Sequence, residues 1–425
     1  VKEQSVVSPG VNWAGNIRYT ARELLTPTTL AQLQEMVCTA ERVRVLGSRH
    51  SFNDIADSPG VLLNLAELRQ PVAIDPAAAT ATVGAGLRYG EVTPQLEAAG
   101  FALPNLGSLP HISVAGACAT GTHGSGSGNR NLAAAVRSME FVAADGELVR
   151  LDRDEHPAEF HGAVLGLGAV GPVVSLTLDL RPSFQVRQDV YLDLPYRELD
   201  AHFDEIMDAA YSVSLFLDFR SDTVGKVWMK RAVAPGEDWQ PEPTWLGARL
   251  AESDQHPVPG QLPDSATPQR GDIGPWNERL PHFRLEFVPS SGLELQSEYL
   301  LPRGHAVRAL AGLRPLSERI APLLQVAEIR TVAADELWLS PAYQQDVVAL
   351  HFTWVDDTPA VRALLPALEA VLDPLEGRPH WGKVFTTPPG RVRELYPRMA
   401  DFVELVRRYD PDGRFGNTFL ETYVY

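Results

Sequence analysis

The chain contains two cysteines in 425 residues, Cys38 and Cys118. Two are too few for a disulfide scaffold and lack the doublet spacing of a zinc site, a usage that suits a reducing cytosol. Basic residues are also scarce, with 37 Lys and Arg against 54 Asp and Glu and a formal net charge of −17. With no basic run to neutralise phosphates, nucleic acid and an anionic membrane surface are excluded as partners, and a small molecule is expected instead. No run of 18 apolar residues occurs, and the first residues, Val1-Lys2-Glu3-Gln4-Ser5, open no apolar leader, so the expectation is a cytoplasmic protein without membrane contact. Internal repeats and low-complexity tracts are missing too. The length exceeds what a single core usually organises, so two domains are expected.

Against these absences stand two short loops rich in glycine, hydroxyls and histidine: Leu46-Gly47-Ser48-Arg49-His50-Ser51-Phe52-Asn53 and Ala119-Thr120-Gly121-Thr122-His123-Gly124-Ser125-Gly126. Glycine lets a backbone approach a ligand closely, and successive amides in such turns form anion-binding concavities. The first loop follows the apolar run Val43, Val45, Leu46, so a strand delivers its amides, hydroxyls and the His50 ring to one place. Neither loop carries the lysine of a nucleoside-triphosphate loop, which leaves a dinucleotide as the expected anionic ligand. An ordinary Gly/Ser turn with a surface histidine is the bland alternative for either loop alone.

The rest of the chain reads as mixed helix and strand. Helical patterns cover Thr28 to Ala40 and Tyr89 to Ala99, and Ala81 to Gly86 alternates as a strand. An Asp145-Gly146 turn between apolar flanks, Val142 to Val149, predicts a hairpin. From Gln185 the texture changes: Ser212 to Phe219 and Lys226 to Lys230 alternate like strands of a half-exposed sheet, Ala234 to Pro281 is proline-rich and reads as a long insertion loop, and strands and helices resume from Phe283 to Leu375. Gly166-Leu167-Gly168-Ala169-Val170-Gly171 spells the fingerprint of a nicotinamide-binding unit, but in the wrong context. That fingerprint needs a strand before it and a helix after it, whereas here a helix-like segment precedes and Val173 to Leu180 alternates as a strand. A glycine-rich turn is expected.

The second half supplies polar groups at strand spacing. Within Gln325 to Val332, Glu328 and Arg330 fall on one face; within Val347 to Val355, Leu350, Phe352 and Trp354 turn inward while His351 and Thr353 share the other face. If both strands join one sheet, a carboxylate, a guanidinium, an imidazole and a hydroxyl line a single surface suited to a polyhydroxylated ligand. The alternative is a solvated sheet face with an ion pair of little energetic weight. Pro379-His380-Trp381-Gly382-Lys383 adds a lysine beside an aromatic ring, in what otherwise reads as a surface turn.

Taken in order, the first loop, Gly107-Ser108-Leu109-Pro110-His111-Ile112-Ser113-Val114-Ala115-Gly116, Thr120-Gly121-Thr122-His123-Gly124, Glu328-Ile329-Arg330, His351-Phe352-Thr353-Trp354 and His380-Trp381-Gly382-Lys383 closely resemble the bacterial alditol (xylitol) oxidases of the vanillyl-alcohol oxidase superfamily. The resemblance runs from Asn12-Trp13-Ala14-Gly15-Asn16 to Phe415-Gly416-Asn417. It implies an α+β, two-domain flavoprotein, with a PCMH-type FAD-binding domain over residues 1–185 completed by 376–425 and an α+β substrate (cap) domain over 186–375. It implies FAD bound covalently through a ring nitrogen of His50 to the flavin C8 methyl. Gly47, Ser48, Arg49, Ser51, Phe52, Ser108, Ser113, Gly116, Thr120, Gly121, Thr122, His123 and Val173 are the remaining cofactor-binding residues it implies, with Arg49 standing where close relatives have glycine. It further implies that Ser108, Glu328, Arg330, Thr353 and Lys383 bind substrate, and that Lys383, Arg330, His351 and Glu328 are catalytic, with the hydroxyl proton going to Lys383 or His351.

The activity so implied is oxidation of the terminal hydroxyl of alditols such as xylitol and sorbitol to the aldose, by hydride transfer to flavin N5 and reoxidation by oxygen with release of hydrogen peroxide. Gly107 would open the oxygen path, where related dehydrogenases keep alanine; its alternative role is a turn with positive φ. A soluble monomer without a metal ion is expected. An aldonolactone oxidase or dehydrogenase of the same superfamily, an NAD-dependent polyol dehydrogenase and a non-catalytic sugar-binding protein are the competing readings.

Overall fold

The computed structural model describes residues 9–234, 236–287 and 294–425. The expectation for the extreme N-terminus, and part of the one for Phe283 to Leu375, lies outside those residues.

The first half is built on two small sheets. Strands Glu23–Leu25 and Val43–Val45 flank Val61–Leu63 in a parallel three-stranded sheet, and an antiparallel five-stranded sheet runs in the order Ala73–Asp75, Thr80–Gly84, Val173–Asp179, Val136–Val142, Leu148–Asp152. The hairpin predicted at Asp145-Gly146 joins the last two, with Val142 opposite Leu148. The predicted helices form at Leu30–Thr39 and Tyr89–Ala98. Thr29 caps the first by accepting from the Gln32 amide, which satisfies one of the unpaired amide donors of its opening turn. The Gly166–Gly171 segment is the expected turn, preceded by the helix Pro157–Ala163 and followed by the strand Val173–Asp179. Leu167, Gly168 and Gly171 there have φ of 53°, 72° and 141°. The buried Arg44 guanidinium secures the turn by donating to the Leu167 carbonyl at 2.6 Å and to Ile55 and Phe415 at 2.7 Å.

At Gln185 the chain enters a ten-stranded sheet whose central order is Gln185–Pro195, Thr223–Val233, Ser212–Leu217, Leu324–Val332, Val347–Val355, Glu294–Pro302. Helices Tyr196–Met207 and Thr358–Leu372 pack along it, and Ala306–Leu313 packs against both of them. Ser212–Leu217 departs from expectation, because it is buried on both faces rather than half exposed. Alternation in its sequence reflects two differently lined faces, not one dry and one wet. Ala234–Pro281 is mostly irregular, as a long insertion loop should be, and it also holds short paired strands, a helix over Trp276–Arg279 and the fully buried Trp276, which anchors it.

The last fifty residues return to the first half. The Val43 amide donates to the Arg414 carbonyl at 2.9 Å and the Ala144 amide to the Tyr409 carbonyl at 3.0 Å. Asn417 caps the helix Thr418–Tyr423 with its side-chain oxygen, and its Nδ2 donates to the carbonyls of Ile55 and Asp57. One apolar cluster runs through both halves, including Phe141 and Leu176, Leu215 and Ile329, Phe352 and Trp381. The two halves therefore close on each other through buried surface, which fixes their relative position around the cavity between them.

Candidate active site

A cavity of about 760 Å³ lies between the halves, lined at one end by the first glycine loop and at the other by the large sheet. Gly47, Ser48, Arg49, His50, Ser51 and Phe52 all reach its wall, as do Ser108, Ser113, Gly116, Thr120, Thr122, His123 and Val173. Gly121 and Gly107 do not. Gly121 turns the chain with φ 72°, and a Cβ there would press on Leu165 and Pro341 rather than on a ligand. Gly107 is buried behind the wall; a Cβ would meet Thr122 Cγ2 at 3.6 Å and Ile112 Cδ1 at 3.7 Å, ordinary contacts, and its φ is not positive, which removes the turn-glycine explanation.

The first loop is held from all sides. Ser48 Oγ accepts from the Ser113 amide at 3.0 Å, joining it to the 113–123 segment. Asn12 and Asn16 donate to the Ser51 and Phe52 carbonyls at 2.9 Å, the Phe52 amide donates to Gly382, and Asn53 Nδ2 donates to the Trp381 and Lys383 carbonyls at 2.8 Å. Arg49 occupies the left-handed region with φ 64°, the conformation that a glycine adopts without cost; its guanidinium donates to the Pro9 carbonyl at 2.6 Å and leaves the cavity. A Cβ on Gly47 or Gly116 would lie 2.7 or 2.6 Å from Ser113 Oγ, so glycine at both positions lets that hydroxyl sit between the two loops.

His50 stacks on Trp13 with ring centroids 5.3 Å apart. Burial pulls its pKa down to about 4, so the ring is neutral at pH 7, and its buried Nδ1 has no hydrogen-bond partner. A neutral imidazole with an unpaired buried nitrogen at the wall, beside a cradle that side chains would fill, fits a flavin dinucleotide held there.

On the sheet, the register brings the predicted groups together. Glu328 pairs with His351, and Glu328, Arg330, His351 and Thr353 all reach the cavity. Lys383 joins them from the segment after Pro379, which is buried and not the surface turn its sequence allows. Sequence reading missed Glu298. It lies on Glu294–Pro302 opposite His351, is 1% exposed, and accepts from Arg330 at 2.5 Å and from Lys383 at 2.6 Å, with His123 Nε2 3.3 Å away. Burial alone would raise its pKa, but the Lys383 and Arg330 charges outweigh that and hold it well below the usual carboxylate range. The signal was there in Glu294, Gln296 and Glu298, three charged or amide residues at period two. His282 was missed as well; its Nε2 lies 2.8 Å from Glu328 Oε1.

The other pKa shifts follow from burial and from this charge network. Glu328 is held well below the usual range because Arg330 and His282 outweigh the effect of burial. His351 is drawn down to about 4 by burial and the adjacent Lys383 charge, and Lys383 is lowered by burial, with Glu298 pulling the other way. Lys383 Nζ lies 2.6 Å from His351 Nδ1, and His351 Nε2 lies 3.0 Å from Thr353 Oγ1. The cluster holds two buried carboxylates and two buried cations at hydrogen-bonding distance, a balance that leaves a place for a neutral ligand bearing hydroxyls.

Glycine loops at one end of this cavity and a charged face at the other are the parts that an FAD-linked oxidase needs. Residues 21–152 match the FAD binding domain family and residues 294–423 match the D-arabinono-1,4-lactone oxidase family. Over 412 residues the chain is 52% identical to an alditol oxidase of Streptomyces sp., covering 96% of this chain and 97% of that one, and it belongs to the alditol oxidase family. An L-gulono-1,4-lactone dehydrogenase of Mycobacterium tuberculosis is 28% identical over 96% of this chain and 97% of its own. Cholesterol oxidase from B. sterolicum superposes with a TM-score of 0.81 at 15% identity, over 98% of this chain and 96% of that one, which places the fold in the same vanillyl-alcohol oxidase type.

Proposed function

We propose that this protein oxidises the terminal hydroxyl of alditols such as xylitol and sorbitol to the aldose, with oxygen as electron acceptor and hydrogen peroxide as product. What carries the reading is that the two glycine loops and the Glu328, Arg330, His351, Thr353 and Lys383 face line one and the same cavity. When bound, FAD supplies the hydride acceptor and the route by which the electron pair reaches oxygen. The family match, the Gly47 and Gly116 cradle and the unpaired His50 Nδ1 support that cofactor, and a covalent link to His50 is part of the proposal.

The side chains then have distinct tasks. Glu328 and Thr353 accept from or donate to hydroxyls of a linear polyol and, with Ser108, fix which carbon faces the flavin end of the cavity. Lys383 takes the hydroxyl proton; burial favours its neutral form, and Glu298 at 2.6 Å stabilises the ammonium it becomes. Arg330, held by Glu298, stabilises negative charge on the substrate oxygen as the proton leaves. Removing the hydroxyl proton makes the carbon a better hydride donor, so the two losses are coupled. Within this reading Gly107 leaves space behind the wall for oxygen, residues 1–185 with 376–425 bind FAD, residues 186–375 bind substrate, and the protein acts as a cytoplasmic monomer. Among the described residues no helix is long and apolar enough to cross a membrane and no group of His, Cys, Asp or Glu is arranged to hold a metal ion.

The test is direct. The purified protein should be yellow, its colour should stay with acid-precipitated protein, and a panel of alditols and aldonolactones should release peroxide from the alditols without added NAD. Peroxide release from lactones alone would assign the protein to the lactone oxidases, and a colourless protein that binds polyols without oxidising them would end the reading.

A further inference from the structure

We propose that Lys230 and His282 form a buried positioning relay behind Glu328: the Lys230 ammonium donates to His282 Nδ1, the ring donates from Nε2 to Glu328 Oε1, and the carboxylate is thereby held as a pure acceptor for one substrate hydroxyl. The hydroxyl's identity rests on the alditol reading above; the relay itself does not.

Lys230 sits on Thr223–Val233, two strands away from Glu328 in the sheet, and is 1% exposed. Its Nζ has three acceptors, one for each ammonium hydrogen: the Leu280 carbonyl at 2.6 Å, the Pro281 carbonyl at 2.9 Å and His282 Nδ1 at 3.2 Å. A neutral amine has only two hydrogens, so this set of partners matches the ammonium, the form held below about pH 7, the value to which burial lowers Lys230 against the pull of Glu328. With Nδ1 accepting, the ring hydrogen must be on Nε2, 2.8 Å from Glu328 Oε1. The charged and titratable groups around the ring are Lys230, Glu328 and Arg330, and it packs T-shaped against Phe216 and Trp228 with ring centroids 5.6 and 5.3 Å apart. Burial and the Lys230 charge draw His282 down to about 4, which keeps the ring neutral and its tautomer set by its neighbours.

The consequence falls on Glu328. Oε1 is taken by His282, and Oε2 remains, 3.6 Å from Arg330 Nε. A ligand meeting this oxygen has to donate, so a hydroxyl is favoured and a carbonyl or ether at the same point is refused. The relay also reaches the first half of the chain, because the His282 and Phe283 amides donate to the Ser108 carbonyl at 3.1 and 3.3 Å, so Ser108 and Glu328 are held through one residue.

Two measurements test it. In protein labelled with 15N-histidine, His282, assigned by its loss in His282→Gln, should at pH 6 show the neutral Nε2–H form. In Lys230→Met the ring loses a neighbouring charge, so its titration should rise by at least about one pH unit. A ring protonated on Nδ1 alone in the parent protein, or a titration unmoved by Lys230→Met, overturns the relay. In kinetics, His282→Leu should raise the polyol KM roughly tenfold or more, the cost of losing a charge-assisted hydrogen bond, with flavin content and saturated rate changed far less. His282→Gln, which restores an N–H donor, should recover most of that KM. An unchanged KM in a fully flavin-loaded His282→Leu also overturns the proposal, and so does failure of His282→Gln to rescue. If the parent protein oxidises no alditol, the functional reading fails while the spectroscopic arm still judges the relay.

Discussion

Lys383 Nζ lies 2.6 Å from Glu298 Oε2, an ion pair buried at the end of the cavity between a strand and a loop more than eighty residues apart in sequence. The carboxylate raises the lysine's proton affinity against the burial that lowers it. Activity that needs neutral Lys383 rises with pH through the pKa of that lysine. Glu298→Gln removes the charge and keeps the shape, so the rising limb of the kcat against pH profile should move to lower pH by about one unit or more. A limb that stays in place at reduced rate would show that Glu298 only packs.

Lys383→Met and Arg330→Ala should each lower turnover roughly a hundred- to ten-thousand-fold, as loss of a proton acceptor or of charge stabilisation generally does. Flavin content should be nearly unchanged in both, because the cradle loops are tied to Lys383 through its backbone carbonyl rather than its amine. A loss below about tenfold would demote the residue concerned.

His50→Ala should bind flavin that acid releases into the supernatant, and should oxidise polyol more slowly. Absorbance of the acid pellet decides the point: acid-stable flavin in this variant would move the covalent link to another residue.

Gly107→Ala should fold and load flavin like the parent, because its Cβ would have only ordinary contacts at 3.6 to 3.9 Å. Gly107→Val should slow reoxidation by oxygen while sparing reduction by polyol. Stopped-flow measurement of the two half-reactions separates them, and equal slowing of both would remove Gly107 from the oxygen path.

Acid should destabilise the protein early. His282 and His351 titrate at about 4 in the folded state against an unfolded value near 6.5, so the unfolded chain binds more protons between those limits and stability rises with pH across that window. Lowering the pH from 6.5 to 4 should therefore cost up to about 3 kcal/mol for each ring. Thermal melts at pH 7.0, 6.0 and 5.0 check this, and His351→Gln should flatten the slope. A melting temperature constant over that range would mean that the rings are not buried neutral.

Much of this molecule was legible in local sequence because the information is local. Period-two alternation put Glu328 with Arg330 and His351 with Thr353 on their faces, the Asp145-Gly146 pair set a hairpin, and the context of the Gly166 to Gly171 segment dismissed a nicotinamide fold. Glycine-rich loops at Gly47 and Thr120 are visible in the sequence, and both line one cavity. Tertiary structure alone decided what those faces meet. His282 and Lys230 carry no motif, and Glu298 only a period-two polar pattern; they matter because strand register and burial bring Glu298 to Lys383, His282 to Glu328 and Lys230 to His282, where the loss of water turns ordinary ion pairs into strong constraints. Ser212–Leu217 was misjudged for the same reason, since a pattern within one strand does not reveal that a second layer covers its other face. Chain direction and side-chain alternation are properties of neighbouring residues, whereas dielectric environment and charge partners belong to the packed whole.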